Sequence, residues 1–352
     1  MNPFIKSMMQ AADNPMASVL EDGLATDSSG FVDTGSMAFN ALLSGGIDKG
    51  MPDNKIICLA GDPATGKTYF AMGIAAAFQR NNPDGLVFYW DSEQAISGVM
   101  FEARGLDPSR TAVMPVATIE DFRHQCIKIV DNVLELPADK RPRMMFILDS
   151  LGNLSTRKEM SDTADNKDTR DMTKAGLIRG TFRTLTIKLG MAKIPLVVTN
   201  HTYDVIGSMF PMKEMSGGAG LKYNASIIVH LAKRKDKDSE KNVIGTILKC
   251  KLTKSRITKE EKIVEVQLNY DTGLNRHYGL LEIAEEAGIL TRVANKVKFP
   301  NGKTAYPSVV LKEPEKWFTV DLLALIDTAC AKEFLYQQGS GQAEGDQEEV
   351  EE

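Results

Sequence analysis

The chain has 352 residues, of which 43% are hydrophobic, and a formal net charge of −5. That length holds one large domain with extensions, or two domains; the charge excludes an overall basic attraction to nucleic acid, which must then be held by a local patch. Cys58, Cys126, Cys250 and Cys330 form no C-x-x-C pair, the four histidines are scattered, and no apolar run is long enough to span a bilayer, which excludes zinc-finger, disulfide-scaffold and transmembrane readings.

In chain order, residues 3–22 space Phe4, Ile5, Met8, Met9, Ala12, Met16 and Val19 as the apolar stripe of a helix. Such a stripe must pack on its own core or on a neighbouring subunit. The start, Met1-Asn2-Pro3-Phe4, has no signal-peptide character, so a cytoplasmic protein is expected. Asp27-Ser28-Ser29-Gly30 reads as a linker that closes the segment 1–33. Residues 34–270 read as an α/β core, with strands expected at 55–60, 86–90, 144–149, 195–200, 225–232, 246–251 and 262–269. The spacing of the early strands predicts crossover helices and a mostly parallel central sheet. The last strand alternates Ile263, Val264, Val266 and Leu268 with Glu265, Gln267 and Asn269, the pattern of a sheet edge. Residues 271–338 predict a small C-terminal α+β domain, with helices at 280–290 and 318–336 and a hairpin turning at Asn301-Gly302. Residues 339–352 are acidic, lack aromatics and read as a disordered tail.

The strongest local signal is Gly61-Asp62-Pro63-Ala64-Thr65-Gly66-Lys67-Thr68, a G-x-x-x-x-G-K-[ST] phosphate loop. Its glycines let successive backbone N–H groups curl round phosphate oxygens, Lys67 reaches the β- and γ-phosphates, and the Thr68 hydroxyl holds Mg²⁺. An apolar run precedes it and a proline-free stretch of helix formers follows, which is the context the motif requires.

Functional side chains of a parallel α/β sheet collect at the carboxyl ends of its strands. One strand closes on Asp149, placed to hold the Mg²⁺ shell through water; the plain alternative is a helix cap. Another closes on Asp91-Ser92-Glu93, where either carboxylate is a candidate general base for a water attacking a γ-phosphate. A third closes on Asn200-His201, with a cap as the plain reading of His201. Two loops follow. Residues 155–174 alternate Arg157, Lys158, Lys167, Arg170 and Lys174 with acidic residues, as solvated mobile surfaces do. Residues 202–222 combine Ile206, Met209, Phe210, Pro211, Met212 and Met215 with a glycine run and with Lys213 and Lys222, a composition suited to apolar wedges between stacked bases.

Taken together, Val32-Asp33-Thr34-Gly35-Ser36, Phe88-Tyr89-Trp90-Asp91-Ser92-Glu93, Ile147-Leu148-Asp149-Ser150-Leu151-Gly152-Asn153-Leu154, Asn200-His201-Thr202-Tyr203 and Lys254-Ser255-Arg256 resemble the RecA-type recombinases over about residues 30–280. The Asp-Ser-Leu-Gly-Asn-Leu and Asn-His-Thr-Tyr strings point to the tailed-bacteriophage branch. The resemblance implies a RecA-like P-loop ATPase core with an N-terminal oligomerisation helix. It implies ATP and Mg²⁺ as cofactors, and a homo-oligomeric helical filament that pairs single-stranded DNA with homologous duplex DNA. A single-strand-binding protein and a loading mediator are implied partners, with no membrane; the host cytoplasm is the implied location for a phage-encoded protein. By position it implies Glu93 as catalytic glutamate, His201 as the switch residue at the γ-phosphate, and Lys254 and Arg256 as cations reaching ATP in the neighbouring subunit. It implies DNA contacts at Arg183, Ile206, Met209 and Phe210, with Arg170 and Lys174 as further candidates. Met100 replaces the family's adenine-stacking tyrosine, and Ser97 stands where an aspartate bonds the base. A hexameric helicase and a non-catalytic ATP-binding mediator are the competing readings.

Overall fold

In the computed structural model, which describes residues 2–12, 17–22, 27–28, 30–167, 171–204 and 213–336, the apolar run Ile56–Gly61 forms β1 and is buried along its whole length. Around it lie β2 (Leu86–Asp91), β3 (Thr111–Pro115), β4 (Met144–Asp149), β5 (Leu196–Asp204), β6 (Lys213–Met215), β7 (Ile227–Lys237), β8 (Val243–Ser255), β9 (Ile263–Asn269) and β10 (Gly273–Leu274). They form one ten-stranded sheet in the order β10-β9-β8-β7-β1-β5-β4-β2-β3, with β6 paired to β5. The run from β7 to β3 is parallel, and β8, β9, β10 and β6 are antiparallel to their neighbours. The mostly parallel sheet expected from the sequence is therefore present. The strand β3 is an addition to that expectation; its residues are largely exposed at the sheet edge, so it carries little of the apolar run that betrays a buried strand.

The helices are α1 (Pro3–Ala11), α2 (Met37–Ser44), α3 (Lys67–Asn81), α4 (Gly98–Ala103), α5 (Ile119–Leu134), α6 (Arg157–Ala164), α7 (Lys174–Ala192), α8 (Ala219–Asn224) and α9 (Leu280–Glu286). Beyond them come α10 (Pro307–Lys312), α11 (Pro314–Trp317) and α12 (Val320–Phe334). Two apolar clusters sandwich the sheet. One holds Phe39, Phe70, Tyr89 and Leu252, and it extends through Val310, Phe318 and Ile326 of the C-terminal segment. The other is built on Trp90, whose ring packs edge-on against Phe122 and Phe146 at 5.3 and 5.0 Å, with Phe182 beyond. The small C-terminal sheet pairs Thr291–Val293 with Lys296–Lys298, and the latter with Thr304–Ala305 through the expected turn.

Three local expectations change. The N-terminal helix stops at Ala11, and none of its residues is buried: Phe4, Ile5 and Met8 remain exposed. The charged stretch after residue 155 contains α6, because Thr156 and Glu159 form a reciprocal capping box that satisfies two helix-end donors. The glycine-rich stretch after His201 carries strand β6 and helix α8 as well as loop.

Candidate active site

The phosphate loop joins β1 to α3. A Cβ at Gly61 would meet the Leu231 carbonyl oxygen at 2.8 Å, and Gly66 has φ of +104°, so both positions require glycine. Gly66 is the N-cap of α3, supplies no side-chain cap, and is followed by a first turn without acidic residues. The open N–H groups and the positive end of the helix dipole suit phosphate oxygens. Lys67 Nζ donates to the carbonyls of Gly61 and Asp62, each at 2.9 Å, and lies 3.3 Å from His201 Nδ1. Burial draws the Lys67 ammonium below its ordinary value, while the carboxylates of Asp149, Glu93 and Asp62 pull the other way.

Parallel register assembles the rest. Gly61 pairs with His201 and Asp91 with Asp149, so residues far apart in sequence meet at one sheet edge. His201 Nε2 lies 2.9 Å from Glu93 Oε1, which also accepts the Ser150 hydroxyl at 2.8 Å. Burial raises the Glu93 carboxyl, but the hydrogen bonds from His201 and Ser150 prevail and hold it below its usual value. Lys67, His201, Glu93 and Ser150 thus form a continuous chain of contacts. The second carboxylate left open by the sequence is differently employed: Asp91 is buried, and its Oδ1 accepts the backbone N–H groups of Glu93 and Gln94 at 3.0 and 2.9 Å. Glu93 keeps a side chain about 35% exposed.

Asp149 accepts the Tyr89 hydroxyl at 2.6 Å on one oxygen and the Thr199 hydroxyl on the other. Among the described residues no group of three or more His, Cys, Asp or Glu is arranged as a metal site. A Mg²⁺ brought in on phosphate oxygens could be held by the Thr68 hydroxyl and by Asp149, which are oxygen donors of the kind such a cation takes.

A cavity of about 450 Å³ flanks α3, lined by Gly66, Tyr69, Arg80, Arg104, Asn269 and Tyr270 among others. The Arg104 guanidinium lies 4.7 Å from the centre of the Tyr69 ring and donates to the Asn269 and Tyr270 carbonyls at 3.4 and 3.2 Å. Met100 is not among the lining residues. It is partly buried and packs against the apolar cluster beside buried Phe101, and Ser97 caps α4. Only the fold brings α3, α4 and the β9–β10 turn to one cavity.

The cations expected at DNA are dispersed. Arg183 is exposed on α7. Lys174 is turned onto Glu159 at 3.0 Å, because the capping box of α6 presents that carboxylate to the start of α7. Lys213 pairs with Asp62 of the phosphate loop, whose carboxyl is held low by Lys213 first and by Thr202 second. Arg170, Ile206, Met209 and Phe210 lie outside the described residues, as does the acidic tail. Lys254 donates to the carbonyls of Lys222 and Tyr223 at 2.6 and 3.1 Å, and Arg256 to that of Tyr223 at 3.5 Å, so both cations sit at the C-terminal end of α8. The register sets Lys254 beside Ile228, itself beside Cys58, so Lys254 lies two strands away from the strand that carries this chain's own phosphate loop and roughly 10 Å short of Gly61 along the strand direction.

The RecA N-terminal domain family matches residues 17–275. The chain belongs to the RecA family. The recombination and repair protein of Enterobacteria phage T4 is 32% identical over 257 residues, covering 73% of this chain and 63% of its own length. The RecA protein of Desulforapulum autotrophicum is 27% identical over 262 residues, 74% of this chain and 71% of its own. That of Cytophaga hutchinsonii is 24% identical over 298 residues, 83% and 80%. This chain thus spans less than two thirds of the phage relative. The RecA-family match encloses the phosphate loop, Glu93, Asp149, His201, Lys254 and Arg256, and stops before the three-stranded C-terminal sheet. Among the described residues, no helix is long and apolar enough to cross a membrane.

Proposed function

We propose that this RecA-family chain is an ATP-dependent DNA recombinase. It forms a helical filament on single-stranded DNA, pairs that strand with homologous duplex DNA and exchanges strands, hydrolysing ATP at its subunit joints. The observation that carries the reading is the contact chain Lys67–His201–Glu93. It couples the loop that would cradle the triphosphate, the carboxylate that would activate water, and the strand β5 that leads into residues 202–222. Glu93 is then the general base, and Lys67 neutralises charge on the β- and γ-phosphates. Bound Mg²⁺ would offset the charge that develops on the transferring phosphoryl group. His201 exchanges its contacts with Lys67 and Glu93 when a γ-phosphate arrives, and β5 passes the change to the DNA-facing segment.

Lys254 and Arg256 are read as the cations supplied to the adjacent subunit's ATP. Their distance from their own phosphate loop supports this, as does the state of Lys254, whose ammonium is lowered by burial and by the neighbouring Arg256. Lys254, partly buried, and exposed Arg256 beside it are bonded to carbonyls rather than to a carboxylate, so both gain from an incoming anion. The uncovered apolar face of α1 supports packing of segment 1–33 on a neighbouring protomer. In this reading residues 34–270 are the ATPase core, 271–338 a C-terminal domain and 339–352 a tail. DNA lies along residues 155–174 and 202–222 with Arg183, and a single-strand-binding protein and a loading mediator act beside the filament in the cytoplasm.

Electron microscopy with single-stranded DNA and a non-hydrolysable ATP analogue tests the reading: extended helical filaments are expected, and closed rings would replace the recombinase by a helicase. ATP turnover should be stimulated more by single strands than by duplex, and the stimulation should fall as salt rises.

A further inference from the structure

Asp62 is the second residue of the phosphate loop, at a position where the motif makes no demand for a carboxylate. Its Oδ1 accepts the Thr202 hydroxyl at 2.7 Å, and its Oδ2 pairs with Lys213 Nζ. Those partners stand on the two antiparallel strands β5 and β6, where Thr202 pairs with Met215 and Asp204 with Lys213. One carboxylate therefore fastens both strands of the ribbon to the loop that receives polyphosphate. The backbone of the same residue is also engaged, because its carbonyl accepts Lys67 at 2.9 Å and Thr65 Oγ1 at 2.5 Å. A fixed negative charge in an anion-binding loop repels an incoming polyphosphate unless a cation stands against it. Lys213 is that cation, and its side chain and that of Asp62 are both about half exposed, so each can change partner without unfolding anything.

We propose that Asp62 and Lys213 are a matched counter-ion pair that sets the affinity of the phosphate loop for nucleoside triphosphate, with Lys213 the charge-compensating residue of the nucleotide site rather than a DNA contact. The inference rests on the reading of residues 61–68 as a triphosphate site. It makes the position of the β5–β6 ribbon and the occupancy of the loop two ends of one equilibrium. Whatever pulls Lys213 away from Asp62 weakens triphosphate binding, and by linkage bound triphosphate favours the ribbon position that keeps the pair together.

The test is titration of the full chain, without DNA, with a fluorescent ATP analogue. Lys213→Ala is expected to weaken binding about three- to tenfold, the scale of one unit charge several ångströms away at an exposed site. Asp62→Asn should tighten binding by a similar factor, and the double variant, neutral at both positions as the intact pair is neutral in sum, should bind close to the unaltered chain. Lys213→Arg keeps the charge and should bind like the unaltered chain. High salt should shrink the Lys213→Ala effect. Failure of Asp62→Asn to tighten binding or to offset the Lys213→Ala loss, or no change from any of these substitutions, would overturn the proposal. Lys67→Ala separates the two levels: an unaltered chain that binds no analogue, or binds it regardless of Lys67, overturns the triphosphate site itself rather than its counter-ion pair.

Discussion

Replacing Tyr89 by phenylalanine removes one hydroxyl and leaves the ring in its edge-on packing against Phe101, with centroids 5.3 Å apart. That hydroxyl donates to Asp149 Oδ2 at 2.6 Å, and both residues are almost sealed from solvent. Asp149 retains Thr199 on its other oxygen. A hydrogen bond to an ionised, buried group contributes about 1.5–3 kcal/mol, so the expected loss in Tyr89→Phe is about 2 kcal/mol. For a cooperative unit of roughly 250 residues this lowers Tm by about 4–8 °C, readily resolved by calorimetry at neutral pH. Thr199→Val removes the other donor, and because both act on one carboxylate the double variant should depart from the sum of the singles. A Tm drop of less than about 1 °C in Tyr89→Phe would refute the argument that the phenol holds the Asp149 carboxylate.

Glu93→Gln keeps the shape of the side chain but cannot accept a proton, so DNA-stimulated ATP turnover should fall by about 10²–10⁴-fold while a fluorescent nucleotide still binds; retained turnover would remove Glu93 from the chemistry. The hydrogen bonds that hold the Glu93 carboxyl below its usual 4.5 also set a pH window. A depressed carboxyl contributes stability that is complete above the unfolded value and is lost as pH falls through the folded one. The Tm difference between the unaltered chain and Glu93→Gln should therefore be flat from pH 7 to about 5.5 and close only below about 4.5; a change between about pH 6 and 7 would place the titrating group elsewhere. Mixing Lys254→Ala with Lys67→Ala should restore part of the turnover, since a mixed joint can combine an intact phosphate loop with intact cations, and no recovery at any ratio would count against cations supplied between subunits.

The phosphate loop was legible because it is a local backbone device: Gly61 is demanded by a contact and Gly66 by a φ value that no residue between them can relieve. The strands ending at Asp91, Asp149 and beyond His201 were legible because buried parallel strands are continuous apolar runs, and their polar last residues mark the edge where side chains converge. The exposed strand β3 lacks that run, and the capped helix α6 lies inside a charge pattern that resembles loop, so neither announced itself. What the tertiary structure alone decided is pairing across distance. Asp91 and Glu93 are equivalent on paper until backbone N–H groups occupy the first and His201 and Ser150 hold the second. The register of β5 and β6 delivers Lys213 to Asp62, and α4 leaves Met100 partly buried against the apolar cluster, neither of which the residues announce by themselves. Sequence carries what a residue can do within a turn of backbone. Which carboxylate, cation or ring it meets depends on strand order and register, which are set by the burial of both sheet faces together.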